Sequence, residues 1–150
     1  MEPKIVTKPA FTVVGMRYRG SNENKEIPQL WQAFGPRIHE IKHLAKEPAS
    51  YGLMDNLDED TREFDYMAGM KVDSTADIPE GMSSWEVPEA TYAVFTCTLP
   101  TIHEAFGNII HKWLPASGYK HAATPEFEYY DERFDPQEPH SELDLYIPIK

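Results

Sequence analysis

The segment Thr124–Asp131 carries residue types that could bind a cation or accept a proton. Its sequence, TPEFEYYD, is rich in aromatic residues and has a proline near its start, which predicts a short β-strand. Because side chains alternate along a strand, Glu128 lies on the face opposite Phe127 and Tyr129. A carboxylate among aromatic rings is a receptor for an organic cation and a candidate general base. A solvated glutamate on an outward face is the alternative that the strand alone leaves open.

The run His39–His43 matches the zinc motif H-E-x-x-H. That chemistry requires both histidines on one helical face, aimed into a cleft. The apolar stripe of this segment passes through Trp31, Phe34 and Ile38, and both histidines fall well to its side. We therefore expect solvent-facing histidines and no metal.

Other chemically reactive patterns are weak. The single cysteine, Cys97, lies in an apolar run and is expected to be a small strand residue. The acidic run Asp55–Asp60 lacks the glycine and the terminal glutamate of a calcium loop, so we expect a hairpin tip. Neither a nucleophile elbow nor a glycine-rich nucleotide-binding pattern is present, and the sequence predicts no cofactor.

Composition narrows the class of protein. The 150 residues carry a formal net charge of −11, with 41% hydrophobic and 26% charged residues. This is typical of a globular protein of one domain and argues against nucleic-acid binding, which requires a basic surface. One cysteine suits a reducing compartment, and no apolar signal or membrane-spanning stretch is found. We expect a cytoplasmic protein without a membrane anchor.

The first half of the chain, about 4–72, predicts a strand, a helix and a hairpin. Gly35-Pro36 interrupts the helical pattern and predicts a kink or two shorter helices. The predicted elements are a strand at Phe11–Tyr18, a helix from Pro28, and strands at Tyr51–Met54 and Phe64–Val72.

The second half, about 89–149, repeats this order after a linker at about 73–88. Thr101 and Glu104 form a predicted capping box, and the helix is expected to end near Leu114-Pro115 with Gly118 in the following turn. The remaining predicted elements are strands at Thr91–Thr98, Pro125–Tyr130 and Leu143–Ile149. Residues 1–150 therefore predict a single α+β domain, a tandem duplication of a β-α-β-β unit with pseudo-twofold symmetry. Antiparallel sheets, two main helices and a ligand cleft between the repeats are expected.

Five segments resemble one known family in order and spacing, and the resemblance runs from about Lys4 to Ile149. They are Lys8–Gly15, Phe64–Met70, Trp113–Tyr119, Pro125–Tyr130 and Leu145–Ile149. Together they resemble the GyrI-like effector-binding domain, which is also found behind DNA-binding heads in AraC-type and MerR-type multidrug regulators.

The resemblance implies a groove between the repeats for lipophilic, aromatic and often cationic small molecules. The family's glutamate in the penultimate strand matches Glu128, and its tyrosine in the Phe-x-Tyr-x-Ala-Gly strand matches Tyr66. Weaker assignments to the ligand site, based on expected proximity and chemistry, are Trp85, Trp113, Tyr51, Met70 and Tyr130.

Three functions are compatible with this resemblance. Without a DNA-binding head, the chain is expected to be a stand-alone binder that senses or sequesters a drug. The first alternative is a hydrolase that opens cyclopropane rings of DNA-alkylating compounds, with Glu128 as catalytic carboxylate beside Tyr66. The second is a protein-interaction module acting on gyrase or a regulator.

Overall fold

The computed structural model describes residues 2–47 and 49–150 of the chain. Its strands are β1 (Lys4–Lys8), β2 (Phe11–Gly20), β3 (Ser50–Asp55), β4 (Phe64–Val72), β5 (Ser83–Val87), β6 (Ala90–Thr98), β7 (Glu126–Tyr130) and β8 (Glu142–Ile149). Its helices are α1 (Glu26–Phe34), α2 (Ile102–Asn108) and the one-turn α3 (Leu114–Ser117). These elements confirm the predicted α+β class.

All eight strands join one antiparallel sheet in the order β1-β6-β8-β7-β3-β4-β2-β5. The two halves of this order are related by a pseudo-twofold axis, and they meet where β3 pairs with β7. The middle pair of that junction is Gly52 opposite Glu128, so these two residues occupy equivalent positions in the two repeats.

The first strand of each repeat is exchanged between the halves. β1 pairs with β6 of the second repeat, and β5 pairs with β2 of the first. β5 lies within the segment 73–88 that the sequence predicted as a linker. Its five residues are followed at once by Pro88, and so short a run between turn residues gives little periodic signal.

The break at Gly35-Pro36 is confirmed, because α1 ends at Phe34 and a 3₁₀ turn follows at Gly35–Glu40. The H-E-x-x-H run therefore leaves the helix, and Ile41 is already extended. His39 is exposed, and Glu40 accepts two hydrogen bonds from the Arg37 guanidinium.

The predicted capping box at Thr101 and Glu104 is wrong. Thr98 and Thr101 form the box instead, around a 3₁₀ turn at Leu99–Thr101 that precedes α2. The helical path then continues through a π-helical turn at Ile109–Trp113 and through α3. It ends at Gly118, whose φ of 83° suits a glycine cap. Pro115 lies at the start of α3 and does not end the helical path.

The sheet has apolar packing on both faces. On one face, α1 and the strands of the first repeat enclose a cluster around Phe34 and Tyr66, and α2 covers a second cluster around Leu145. We call the other face, which the helices do not cover, the bare face. An aromatic cluster around Tyr51 and Phe127 is packed on it and extends across both repeats. Within the described residues, no helix is long and apolar enough to cross a membrane.

Candidate functional site

Glu128 lies at the centre of the sheet, on the face that carries the helices, which we call the helical face of the sheet. Its neighbour Phe127 points the other way, into the cluster on the bare face, as strand alternation predicted. The Glu128 side chain is only 9% exposed. A carboxylate this deeply buried is stable only with hydrogen bonds or a counter-charge.

Two phenols supply those hydrogen bonds, and both act on the same carboxylate oxygen. Tyr66 Oη donates to Glu128 Oε1 at 2.7 Å, and Tyr130 Oη donates to it at 2.9 Å. In the described part of the chain, no side chain forms a hydrogen bond with Oε2 and no Lys, Arg or His pairs with the carboxylate. The two phenols therefore satisfy one carboxylate oxygen, and the other has no side-chain donor among the described residues.

Burial raises the pKa of Glu128 to about 7, and the two phenols oppose this rise without cancelling it. The same burial, together with the nearby carboxylate, raises the pKa of Tyr66 and Tyr130 well above the ordinary tyrosine value. Both phenols therefore keep their protons near neutral pH and act as donors. Glu128 changes charge in this range and can attract a cation or accept a proton.

Trp31 of α1 covers the three-residue cluster of Glu128, Tyr66 and Tyr130. Its Nε1 donates to Tyr66 Oη at 2.8 Å, and its ring packs edge-on against Tyr130 at 5.5 Å between centroids. The helical periodicity assigned Trp31 to the apolar stripe and gave no sign of this role. An indole N–H on a buried face needs an acceptor, and that need was the one available signal.

Gly52 provides the space in which the cluster forms. A Cβ at this position would collide with Tyr66 Oη and would lie 2.5 Å from Glu128 Oε1. The equivalent positions of the two repeats thus hold a carboxylate on one side and no side chain on the other. Sequence reasoning did not identify Gly52, because its role depends on the pairing of β3 with β7.

Two of the other predicted residues lie on the helical face of the sheet. Met70 follows Tyr66 on the same face of β4 and accepts a hydrogen bond from Ser50 Oγ at 3.3 Å. Trp113 packs edge-on against Phe95 at 5.1 Å, in the cluster that α2 covers.

The structure does not bring Tyr51 and Trp85 to Glu128. Both are buried in the aromatic cluster of the bare face. Gly52 faces Glu128 across the β3–β7 pair, so its neighbour Tyr51 points to the opposite side of the sheet. Trp85 lies on the exchanged strand β5, where the Arg17 guanidinium covers its ring at 4.3 Å.

The duplicated sheet and its helices define the GyrI-like effector-binding domain, a class of small-molecule-binding modules. Residues 4–149 match the family described as integron-associated effector binding protein, Cass2, and the chain belongs to that family.

A curated relative is the transcriptional regulator BrlR of Pseudomonas aeruginosa, which is 45% identical over 152 residues. The match covers 99% of this chain and 56% of that regulator, so the chain spans little more than half of its relative's length.

Two solved structures share the fold. SAV2435, bound to tetraphenylphosphonium, superposes with a TM-score of 0.77 at 19% identity over 100% of this chain and 94% of the other. The integron cassette protein VCH_CASS2 of Vibrio cholerae gives a TM-score of 0.69 at 21% identity, over 100% and 97% of the two chains.

Proposed function

We propose that this protein binds lipophilic aromatic cations, with Glu128 as the counter-charge. The observation that carries the proposal is the buried carboxylate that receives two phenol hydrogen bonds on Oε1 while Oε2 has no bond from the described side chains. SAV2435, which shares the fold, has been solved with a lipophilic cation bound.

The surrounding rings suit such a ligand better than a metal ion or a strongly hydrated ammonium. Trp31, Tyr66 and Tyr130 offer π-faces and edges around one carboxylate. Each cation–π contact contributes about 0.5–2 kcal/mol, and two or three of them with one desolvated ion pair give micromolar affinity. A delocalised cation also loses less hydration on entering an apolar site.

A ligand reaches Glu128 by displacing the Trp31 ring. Trp31 is partly exposed, and α1 ends three residues later at the Gly35-Pro36 break. An aromatic ligand that takes the place of the indole replaces its packing against Tyr130. Tyr66 Oη then loses the Trp31 donor but still donates to the carboxylate.

The test is binding of a lipophilic cationic dye, rhodamine 6G, followed by fluorescence anisotropy. We expect saturable binding by the wild type and a loss of at least about tenfold in Glu128→Gln, which keeps the shape and removes the charge. The matched control is Glu126→Gln on the same face of β7, where the carboxylate is paired with His121. Equal affinity of wild type and Glu128→Gln would refute the assignment.

A second candidate is hydrolysis of strained rings, favoured by a Glu128 pKa near 7 beside a phenol donor. In that reaction Glu128 would take a proton from a water molecule while the water oxygen attacks a cyclopropane carbon and a ring C–C bond breaks. The carbon released from the ring would keep the electron pair of that bond and receive the proton from Glu128. Incubation with a cyclopropane-bearing alkylator distinguishes the two functions. A water adduct formed by wild type and absent with Glu128→Gln supports hydrolysis, whereas unchanged compound with measurable binding supports the binder alone.

A further inference from the structure

The bare face of the sheet contains a second group of residues suited to a cation, and a lysine of the chain already occupies it. The ammonium of Lys8, on the exchanged strand β1, lies over five aromatic rings. The distances from Nζ to the ring centroids are 5.3 Å for Phe11, 5.4 Å for Tyr146, 5.7 Å for Tyr129, 5.9 Å for Tyr51 and 6.0 Å for Phe127. We call these five rings the Lys8 cage.

The rings of the Lys8 cage support one another. Phe127 stacks on Tyr146 at 4.5 Å, and Tyr51 packs edge-on against Tyr129 at 5.3 Å. Phe11 and Tyr51 come from the first repeat and the other three rings from the second. The cage is therefore built by ring–ring packing across the repeat junction, and its walls have contacts that do not depend on the lysine.

One carboxylate stands beside the Lys8 cage. Tyr51 donates to Glu47 Oε1 at 2.5 Å, and Lys71 Nζ lies 3.5 Å from Glu47 Oε2. No side chain in the described ranges accepts a hydrogen bond from Lys8 Nζ. The ammonium is held by ring faces and by the field of Glu47, and this mode of binding does not depend on its N–H groups.

The architecture of the fold does not itself require a lysine at this position. Lys8 ends β1 before Pro9, and at the equivalent place Val87 ends β5 before Pro88. Val87 is almost completely buried and joins the same bare-face cluster. Since an apolar residue holds one exchanged strand in place, the cation in the other position calls for a different explanation.

We propose that the Lys8 cage is a second organic-ammonium site, separate from Glu128, which Lys8 occupies within the chain. Small primary or N-methylated alkylammonium ions bind there when the lysine side chain swings out. Lys8, Tyr129 and Tyr146 are partly exposed, so the cage opens at the surface of the protein. The long side chain of Lys8 can leave by rotation about its own bonds while β1 stays paired with β6.

Chemical rescue of Lys8→Ala tests this proposal. The substitution removes the chain from Cγ to Nζ, and n-propylammonium restores the same atoms in a free molecule. Binding is measured by calorimetry and by the unfolding temperature, in a Glu128→Gln background that removes the other cation site. We expect saturable binding of n-propylammonium to Lys8→Ala, at least about tenfold tighter than to the protein that retains Lys8.

Two controls make the result specific. The neutral analogue 1-propanol should not bind, and Tyr129→Leu in the Lys8→Ala background should abolish binding of the amine. Should Lys8→Ala fold only with added amine and not with propanol, the proposal is equally supported. Equal weak responses with and without Lys8, equal effects of amine and alcohol, or no response to the amine would overturn it.

Discussion

Strand β7 contributes to a group of residues suited to a cation on each face of the sheet. One group has no cation from the described residues, and the other already contains a lysine ammonium. On the helical face, Glu128 is buried beneath Trp31 and two phenols, and no basic side chain in the described residues pairs with it. On the bare face, the five-ring Lys8 cage holds an ammonium that the chain supplies. Burial acts on both groups in the same sense, because it raises the pKa of Glu128 and lowers the pKa of Lys8.

This difference between the two faces indicates which of them is expected to bind a ligand. Loss of hydration makes either charge costly to bury, so each charged group needs a partner within the protein or from outside it. The cage contains its cation and also keeps Glu47 nearby, which opposes the effect of burial on the pKa of Lys8. Glu128 has two hydrogen-bond donors and no cationic partner among the described residues. The helical face is therefore the one expected to take a ligand without first releasing a side chain of like charge.

The strongest test of this comparison is to fill the space at Gly52. In Gly52→Ala the new methyl group would push Tyr66 Oη and Glu128 Oε1 apart. We expect rhodamine affinity to fall about a hundredfold, since both the donor geometry and the carboxylate position are lost. Overpacking should also lower the free energy of unfolding by about 1–3 kcal/mol, measured by urea titration.

Gly107→Ala is the matched control for that substitution. Gly107 lies in α2, and a Cβ there would have no neighbour within 4 Å. It should leave dye binding unchanged and raise stability slightly, as alanine does in a helix. Binding that survives Gly52→Ala would show that the cluster at Glu128 is not the ligand site.

The sequence predicted the repeated elements well because their signals are local. The alternation of aromatic residues in β7 placed Glu128 and Phe127 on opposite faces of the sheet. The break in the first helix was predicted from the dipeptide Gly35-Pro36. The exchanged strands could not be predicted in this way. β1 and β5 are short, and their partners lie in the other repeat, so only the assembled sheet defines them.

The same limit applies to the site. Glu128 was a candidate from the strand pattern before the family resemblance supported it, whereas Tyr66 was named from the resemblance. Their hydrogen bond at 2.7 Å depends on the register that joins β3 to both β4 and β7. Tyr51 was expected near Glu128 but lies on the bare face. A shift of one residue along a strand moves a side chain to the opposite face of the sheet. Gly52 gave no chemical signal in the sequence, and the only signal at Trp31 was the need of its indole N–H for an acceptor.

The second test uses pH to separate the two faces. A Glu128 pKa raised from 4.5 to about 7 means that the native protein binds more protons than the unfolded chain between these values. The free energy of unfolding should therefore fall as pH rises through this window, and Glu128→Gln should remove that part of the slope. Cation binding should change in the opposite direction, because it requires the ionised carboxylate.

We expect rhodamine affinity to increase up to about thirtyfold between about pH 5.5 and about pH 8, the ratio of ionised carboxylate at the two values. The control is Glu126→Gln, which should preserve the increase in affinity. A flat profile in the wild type would place the bound cation away from Glu128.

The smallest expected effects come from removing single hydroxyl groups. Tyr66→Phe and Tyr130→Phe each delete one donor to Glu128 Oε1, and we expect each to weaken rhodamine binding about threefold to tenfold. Tyr66→Phe should have the smaller effect, because it also removes the acceptor of Trp31 Nε1 and so makes the Trp31 ring easier for a ligand to displace. Tyr129→Phe is the control on the bare face of the same strand and should leave dye affinity unchanged. A similar loss in all three variants would mean that general packing, and not the phenol–carboxylate cluster, determines binding.

If Tyr66→Phe instead retained the dye while abolishing turnover of a cyclopropane-bearing alkylator, the Tyr66 hydroxyl would act in the reaction and the hydrolase would become the better assignment.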